Sequence, residues 1–358
     1  MDLQNLLIFR IGHLGDTLVA LPALWAIRRA FPGSRLTLLT NVDSKNPHYL
    51  SAKNILPEQG LIDDWISYPT GLSKVGTAAA MMRLSLDMRR RKFDSVIYLM
   101  PRIRAAEQIN RDVRFFNLSG IKSVIGAKYL RQNILSGEIP KPTPVVEPEF
   151  EYLLSCLSHE GIEVGETIAP DLLLTDSERY SAKNWLHGQA GENMKEKALL
   201  AIAPGSKWES KIWHEERFAE VVNRLIENYS CYPIIFGGAE DRKKGERLLA
   251  GWKTGSNAAG ELSVRESAAL LSGCKLYLGN DTGTMHLAAT AGTPCVAIFA
   301  AVDWKGRWLP FGTRNRIFRK TVECEGCHTP DCFNNKKCLN LVETDEVYNA
   351  CVEVLSSV

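Results

Sequence analysis

Several things are scarce in this 358-residue chain, and each scarcity narrows the field. Charge of one sign is lacking: 43 Lys and Arg stand against 41 Asp and Glu, a net +2. Nucleic acid is therefore not an expected partner. No membrane-spanning run is present. The uncharged stretch of residues 284–302 is broken by His286, Gly292 and Pro294 and reads as helix, turn and strand. Before Arg10 the only apolar run is residues 6–9, far short of a secretory leader. The expected location is the cytoplasm, with peripheral contact at the cytoplasmic face of the inner membrane left open. No G-x-G-x-x-G fingerprint follows the first strand, where only the weaker Gly12-x-x-Gly15 spacing occurs.

What is present is an alternation of short apolar runs and longer helical patterns. Strands are predicted at residues 6–9, 36–39, 95–99 and 123–125, with helices at 17–31, 77–91, 103–118 and 150–159. The alternation restarts after residue 176, with strands at 199–203, 233–236, 275–278 and 295–299. A helix with Phe218, Val221, Val222 and Leu225 on one face follows the first of these strands and a polar loop, and further helices are expected at 264–272 and 345–355, the last capped by Thr344. Such alternation implies α/β units on parallel sheets. The length favours two domains, 1–175 and 176–342, followed by a C-terminal helix, 343–358. Residues 138–144, rich in proline, and 170–175 read as connecting segments.

Three polar turns lie where a strand runs into a helix. Asp281-Thr282-Gly283-Thr284 follows one strand and precedes a helix that holds His286 in its first turn. Backbone N–H groups and the positive end of the helix dipole then meet at a natural phosphate site. Thr282 or Thr284 is the candidate cap, and an ordinary capped helix is an equal reading of this turn alone. A second turn carries Ser206, Lys207, Trp208, Lys211 and Trp213. Its cations follow a strand end, where open α/β sheets bind ligands. The N-terminal turn, Arg10 to Asp16, carries His13. Asp16 reads first as a helix cap. Pro22 either kinks the helix behind it or marks its first turn.

Taken together, four stretches resemble glycosyltransferase family 9, the heptosyltransferases of the bacterial lipopolysaccharide core: RIGHLGDTLVALPALWAIRRAFP, PGSKWESKIWHEERF, FGGAEDRKKGERL and GNDTGTMHLAATAGTPCVAIF. The resemblance implies the GT-B fold, two Rossmann-like domains facing a central cleft, with the last helix crossing back to the first domain. It implies inverting transfer of a heptose from a nucleotide-sugar donor, the ADP form expected, to an anionic lipid-linked glycan. It places Asp16 as general base; His13 and His286 are the alternatives. Ser206, Lys207, Lys211, Asp281, Thr282, Gly283, Thr284 and His286 would line the donor diphosphate and sugar, and Glu240 the ribose. Lys207 departs from the hydroxyl residue common at its position. The acceptor would meet the N-terminal half, with His13, Arg102 and Arg104 as candidate contacts. Arg89, Arg90, Arg91 and Lys92 end a helix and read as surface. Other functions on such a frame are a nucleotide-sugar epimerase or hydrolase, which needs no acceptor, and a non-catalytic nucleotide-sugar-binding protein.

No Asp-x-Asp pair flanks these turns, so transfer is expected to need no cofactor or metal. Four of the nine cysteines, Cys324, Cys327, Cys332 and Cys338, crowd into fifteen residues. Two readings stand: a structural zinc or iron bound by four thiolates, or reduced thiols that stabilise a loop.

Overall fold

The structure is a computed structural model that describes residues 3–43, 49–135, 139–165 and 169–357. Its backbone divides into two compact units, one of residues 1–137 and 147–172, the other of residues 138–146 and 173–358.

The first unit holds β1 (Asn5–Phe9), α1 (Leu14–Ala30), β2 (Arg35–Asp43), β3 (Asp64–Thr70), α2 (Lys74–Arg91), β4 (Ser95–Tyr98), α3 (Ala106–Leu118), β5 (Ser123–Ile125), α4 (Ala127–Gln132) and α5 (Glu149–His159). Its sheet runs β3-β2-β1-β4-β5, and every strand pair is parallel. Central β1 is buried along Leu6, Leu7, Ile8 and Phe9. An unbroken apolar run of this kind is what a strand covered on both faces requires.

α1 begins three residues earlier than the periodicity predicts, because His13 rather than Asp16 is the cap residue. Asp16 stands at the third helical position, and its carboxylate reaches back to the His13 N–H. Pro22 lies well inside the helix, which continues through it to Ala30.

The second unit holds α6 (Asp176–Ala190), β6 (Ala198–Ala203), α7 (Glu215–Asn228), β7 (Cys231–Ile235), α8 (Arg242–Trp252), β8 (Ser256–Asn257), α9 (Val264–Leu271), β9 (Leu276–Asn280), α10 (Gly283–Thr290), β10 (Cys295–Ile298), β11 (Arg316–Phe318), α11 (Lys337–Asn340) and α12 (Thr344–Ser356). Its parallel sheet runs β11-β10-β9-β6-β7-β8. β6 and β9 are neighbours, so the loops that follow them emerge side by side. α7 buries Phe218, Val221, Val222 and Leu225, the i, i+3, i+4, i+7 stripe read from the sequence. Each such side chain contributes about 1.5–3 kcal/mol when fully buried.

The last helix differs from expectation in its cap. Its cap is Glu343, not Thr344. It packs on α7 of its own unit, where Val347, Ala350, Cys351 and Val354 join the core cluster of Trp213, Phe218 and Val222. Its apolar stripe thus contributes to the core of the second unit.

The proline-rich segment also belongs to this unit. The Thr143 N–H donates to Glu325, which pairs with Arg319, and the Val146 N–H donates to the Lys305 carbonyl. Burial pushes the Glu325 carboxyl up, but the Thr143 N–H and Arg319 outweigh it and hold it below the ordinary range.

Candidate functional site

In the first unit the turn after β1 is shaped around Asp16. Gly12 adopts φ +150°, and a Cβ there would lie 2.3 Å from the Asp16 Cβ. Only glycine fits both the conformation and the space. The Gly12 N–H donates to Asn41 Oδ1, and the Tyr49 hydroxyl donates to the Gly12 carbonyl at 2.6 Å. The His13 ring lies 5.1 Å from that of Tyr49. Asp16 Oδ2 accepts the His13 N–H at 2.9 Å, and Oδ1 lies 3.9 Å from the guanidinium of buried Arg10. Arg10 also donates to the Asp16 and Leu99 carbonyls. Arg10, Asn41 and Tyr49 were not singled out in the sequence. Arg10 adjoins the turn, but Asn41 and Tyr49 come from another strand and loop, which local pattern does not reveal.

Arg102 and Arg104 are held in polar networks of their own. Arg102 pairs with Glu147 at 3.3 Å, donates to the Asn133 carbonyl and lies over the Tyr152 ring. Arg104 forms an ion pair with Asp112 and donates to the Tyr98 hydroxyl at 2.9 Å. Burial works against its charge, but Tyr98 and Asp112 more than compensate and raise its pKa. These pairings show how both side chains are fixed within the first unit.

In the second unit three strand ends build one polar floor. Asn280, at the end of β9, is fully buried. Its amide donates to the Pro204 and Gly205 carbonyls at 3.0 and 3.2 Å, and its oxygen accepts the Trp213 N–H at 3.0 Å. One side chain thereby joins the loop after β6 to the loop after β9.

Asp281 follows, buried, and pairs with Lys211 at 2.7 Å. Lys211 is thus tied to a carboxylate rather than standing as an isolated cation. Thr282 is the cap residue of α10, but its hydroxyl makes no capping bond. Among the described residues, no acceptor meets the N–H groups of Gly283 or Thr284. These are the unpaired donors that a helix start offers an anion. His286 lies in the first turn, buried, with its ring 6.1 Å from Trp308. Ser206 accepts the Trp208 N–H at 3.3 Å, while Lys207 is exposed.

At the end of β7 the sequence directed attention to Glu240, which is exposed. Its neighbour Asp241 is the carboxylate that lies against the loops: a Cβ on Gly205 or on Gly237 would meet its oxygens at 1.9 and 2.4 Å. Burial raises the Asp241 pKa; the Gly238 N–H and Lys244 oppose this, and Glu240 adds to it. A raised folded-state pKa means that folding favours the protonated form. That contribution is full below the unfolded value of about 3.9 and is lost as pH rises through the folded one. Asp241→Asn is therefore expected to raise the melting temperature at pH 7, with the gain shrinking towards pH 4. Scanning calorimetry across that range checks it, and a pH-independent effect would rule the account out.

Further residues surround this floor, and of these the sequence singles out only Trp208. Trp208 stacks edge-on to His328 at 5.5 Å and lies beneath the Lys211 ammonium at 5.5 Å. Trp308 donates to Asp303 at 2.8 Å, and Asp303 pairs with the fully buried Arg307. Burial pushes the Asp303 carboxyl up, but Arg307, the Trp308 indole and the Trp304 N–H outweigh it and lower its pKa. Closely spaced Trp and Asp residues near a chain's end carry no spacing signature, so nothing marked them beforehand.

The cysteine-rich segment braces the same loop. The Ser210 N–H donates to the Pro330 carbonyl and its hydroxyl to the Thr329 carbonyl. Lys336 pairs with Glu209 and donates to the Ile212 carbonyl. Among the described residues, no group of three or more His, Cys, Asp or Glu is gathered so as to hold a metal ion. Cys324 accepts from Asn334, Cys327 from the Thr329 hydroxyl, Cys332 from the Lys336 N–H and Cys338 from the Ala301 N–H. These bonds fit either reading of the cluster, and the segment they order supports the loop that carries Lys211.

A two-unit α/β protein with phosphate-type helix starts at its strand ends is the class that the geometry defines. The profile of glycosyltransferase family 9 (heptosyltransferase) matches residues 81–338, well over half of the chain. The chain belongs to that family. It is similar to lipopolysaccharide heptosyltransferase 2 of Escherichia coli K12, with 32% identity over 148 residues, 37% of this chain and 42% of that protein. The alignment thus spans less than half of that relative. In fold it is similar to a family 9 glycosyltransferase from Veillonella parvula, at TM-score 0.75 and 19% identity over 100% of this chain and 99% of the other. It is also similar to the E. coli ADP-heptose lipopolysaccharide heptosyltransferase II, at TM-score 0.70 and 17% identity over 99% of each. No described helix is long and apolar enough to cross a membrane.

Proposed function

We propose that the chain transfers a heptose, with inversion, from ADP-heptose to a lipid-linked glycan of the lipopolysaccharide core. The observation that carries this reading is the floor at the ends of β6 and β9, where Lys211, Asp281 and the unpaired N–H groups of α10 converge. Family membership and the names of the similar proteins supply the substrate classes. The helix start and Lys211 take the negative charge that develops on the departing diphosphate, so no divalent ion is required. Ser206, Lys207, Thr282 and His286 border the diphosphate and sugar, and Glu240 takes a ribose hydroxyl.

Asp16 accepts the proton of the attacking hydroxyl through Oδ1, the oxygen that does not accept the His13 N–H. His13 lies beside the acceptor. Arg102 and Arg104, through donors that remain outside their ion pairs, meet its anionic groups. Enzyme of this kind works where its acceptor lies, at the cytoplasmic face of the inner membrane.

Product analysis tests the proposal. ADP should appear only when donor and acceptor are both present, together with a heptosylated product of inverted configuration. ADP released without acceptor would make the protein a hydrolase, and binding without turnover would leave it a carrier.

Lys211→Ala is expected to weaken ADP binding about 10- to 100-fold. It removes a charge-assisted contact worth about 1.5–3 kcal/mol and leaves Asp281 unpaired beside the diphosphate. Adenosine, which lacks phosphates, should bind the variant and the parent equally. Calorimetric titration with both ligands checks this, and equal losses for the two would place Lys211 outside the phosphate site.

A further inference from the structure

α2 is the least covered of the long helices. It has eighteen residues, yet among those described only Leu84 and Met88 are buried. A surface helix ordinarily turns a polar face to water. Here the outward face is apolar: Val75, Ala79, Met82 and Leu86 recur at i, i+4, i+7 and i+11, opposite Leu84 and Met88. Val75 is 81% exposed, Met82 68% and Leu86 50%. The stripe is about 17 Å long at 1.5 Å per residue. Leu118, 70% exposed, lies near its end, where Arg89 of α2 donates to the Leu118 carbonyl. Apolar exposure this continuous marks a contact surface.

The charges around the stripe indicate what it contacts. α2 and the residue after it carry Lys74, Arg83, Arg89, Arg90, Arg91 and Lys92 against one acid, Asp87. Asp87 is paired with Arg91 at 2.8 Å. Arg83 and Arg90 are exposed, line one side of the stripe roughly 50–70° from its midline at 3.6 residues per turn, and pair with no acid among the described residues. An apolar stripe edged by unpaired arginines fits the interface of a membrane with anionic headgroups. A second copy of the chain fits poorly, because a two-fold contact would bring these arginines together.

We propose that the outward face of α2 docks on an anionic lipid bilayer, with Val75, Met82, Leu86 and Leu118 entering the interface and Arg83 and Arg90 meeting phosphate headgroups. This deepens the membrane-borne acceptor proposed above but is tested apart from it. The probe is co-sedimentation with phosphatidylglycerol–phosphatidylcholine vesicles, against phosphatidylcholine alone. The protein should bind the anionic vesicles and lose binding as salt is raised. Met82→Asp combined with Leu86→Asp should cut the partition coefficient at least tenfold. Neutralising Arg83 and Arg90 to Gln should cut it roughly fivefold per cation. Melting temperatures should hold, because all four side chains face solvent.

Absence of binding at low salt, or equal binding by the variants, overturns the proposal. A fall in sedimentation coefficient in the Met82→Asp, Leu86→Asp variant, with vesicle binding unchanged, would make the face an interface between copies and equally overturn it. ADP formation with a water-soluble acceptor fragment separates the two readings. Patch-dependent vesicle binding without turnover would defeat the enzymatic reading and leave the surface standing.

Discussion

Asp16→Asn is expected to reduce sugar transfer by about two to four orders of magnitude, the usual consequence of losing a general base. The amide is nearly isosteric, and its oxygen can still accept the His13 N–H that Oδ2 accepts now. Arg10 is anchored by the Asp16 and Leu99 carbonyls, which the substitution leaves in place. The first unit should therefore keep its melting temperature, and ADP affinity, set in the second unit, should not change. What disappears is a basic oxygen at Oδ1, which no hydrogen bond among the described residues occupies. The decisive pair of measurements is the transfer rate and the melting temperature. A large rate loss at constant stability supports the base. Near-normal transfer would reduce Asp16 to a helix-capping residue and move the search to His13. Gly12 offers an independent check on geometry, since a methyl group there must displace the Asp16 side chain.

How much of this was legible beforehand depended on the kind of force that placed each residue. β1, β6 and β10 were readable because a covered parallel strand must be continuously apolar, and turn residues bound each run. The face of α7 was readable residue by residue because its apolar residues recur at i, i+3, i+4 and i+7. β3 was missed because Asp64, Ser67 and Pro69 interrupt it. β8 and β11 are two and three residues long, too short for any periodic signal. α6 buries only Ala182, Leu186 and Ala190 along fifteen residues, an apolar stripe too weak to mark a helix.

At the site, local chemistry was legible and long-range chemistry was not. The capping competition at Asp16 could be posed from sequence, since Asp favours helix starts, but its position three residues inside α1 depended on the Gly12 conformation. The phosphate-type turn at residues 281–284 was visible as strand, small polar residues and helix. The pairing of its aspartate with Lys211 joins residues seventy positions apart, and no local pattern encodes such a separation. The same holds for Ser210 and the residues 329–330 that brace it. The cysteine cluster was conspicuous by spacing, yet what it supports could be seen only once the loop of Trp208 and Lys211 lay against it.

Asn280→Ala is expected to be the most destabilising single change in the second unit, at about 3–5 kcal/mol. The side chain is fully buried and makes three hydrogen bonds, two as donor to the Pro204 and Gly205 carbonyls and one as acceptor from the Trp213 N–H. Each backbone group left unpaired in the interior costs about 1–3 kcal/mol, reduced where water enters the space. Trp213 is itself fully buried against Phe218, so its loop cannot turn to solvent for a partner without opening the core. The functional consequence follows from the same geometry. Ser206 and Lys211 sit on the loop that Asn280 ties down, and Asp281 is the next residue on the other side of the tie. Loosening it separates the cation from its carboxylate and should weaken ADP binding at least tenfold even where the unit remains folded. Urea unfolding and calorimetric titration at 15 °C, where the variant should stay native, measure the two effects. Loss of stability with intact ADP affinity would show that the loops after β6 and β9 hold their positions independently, and that the tie between them serves the fold alone.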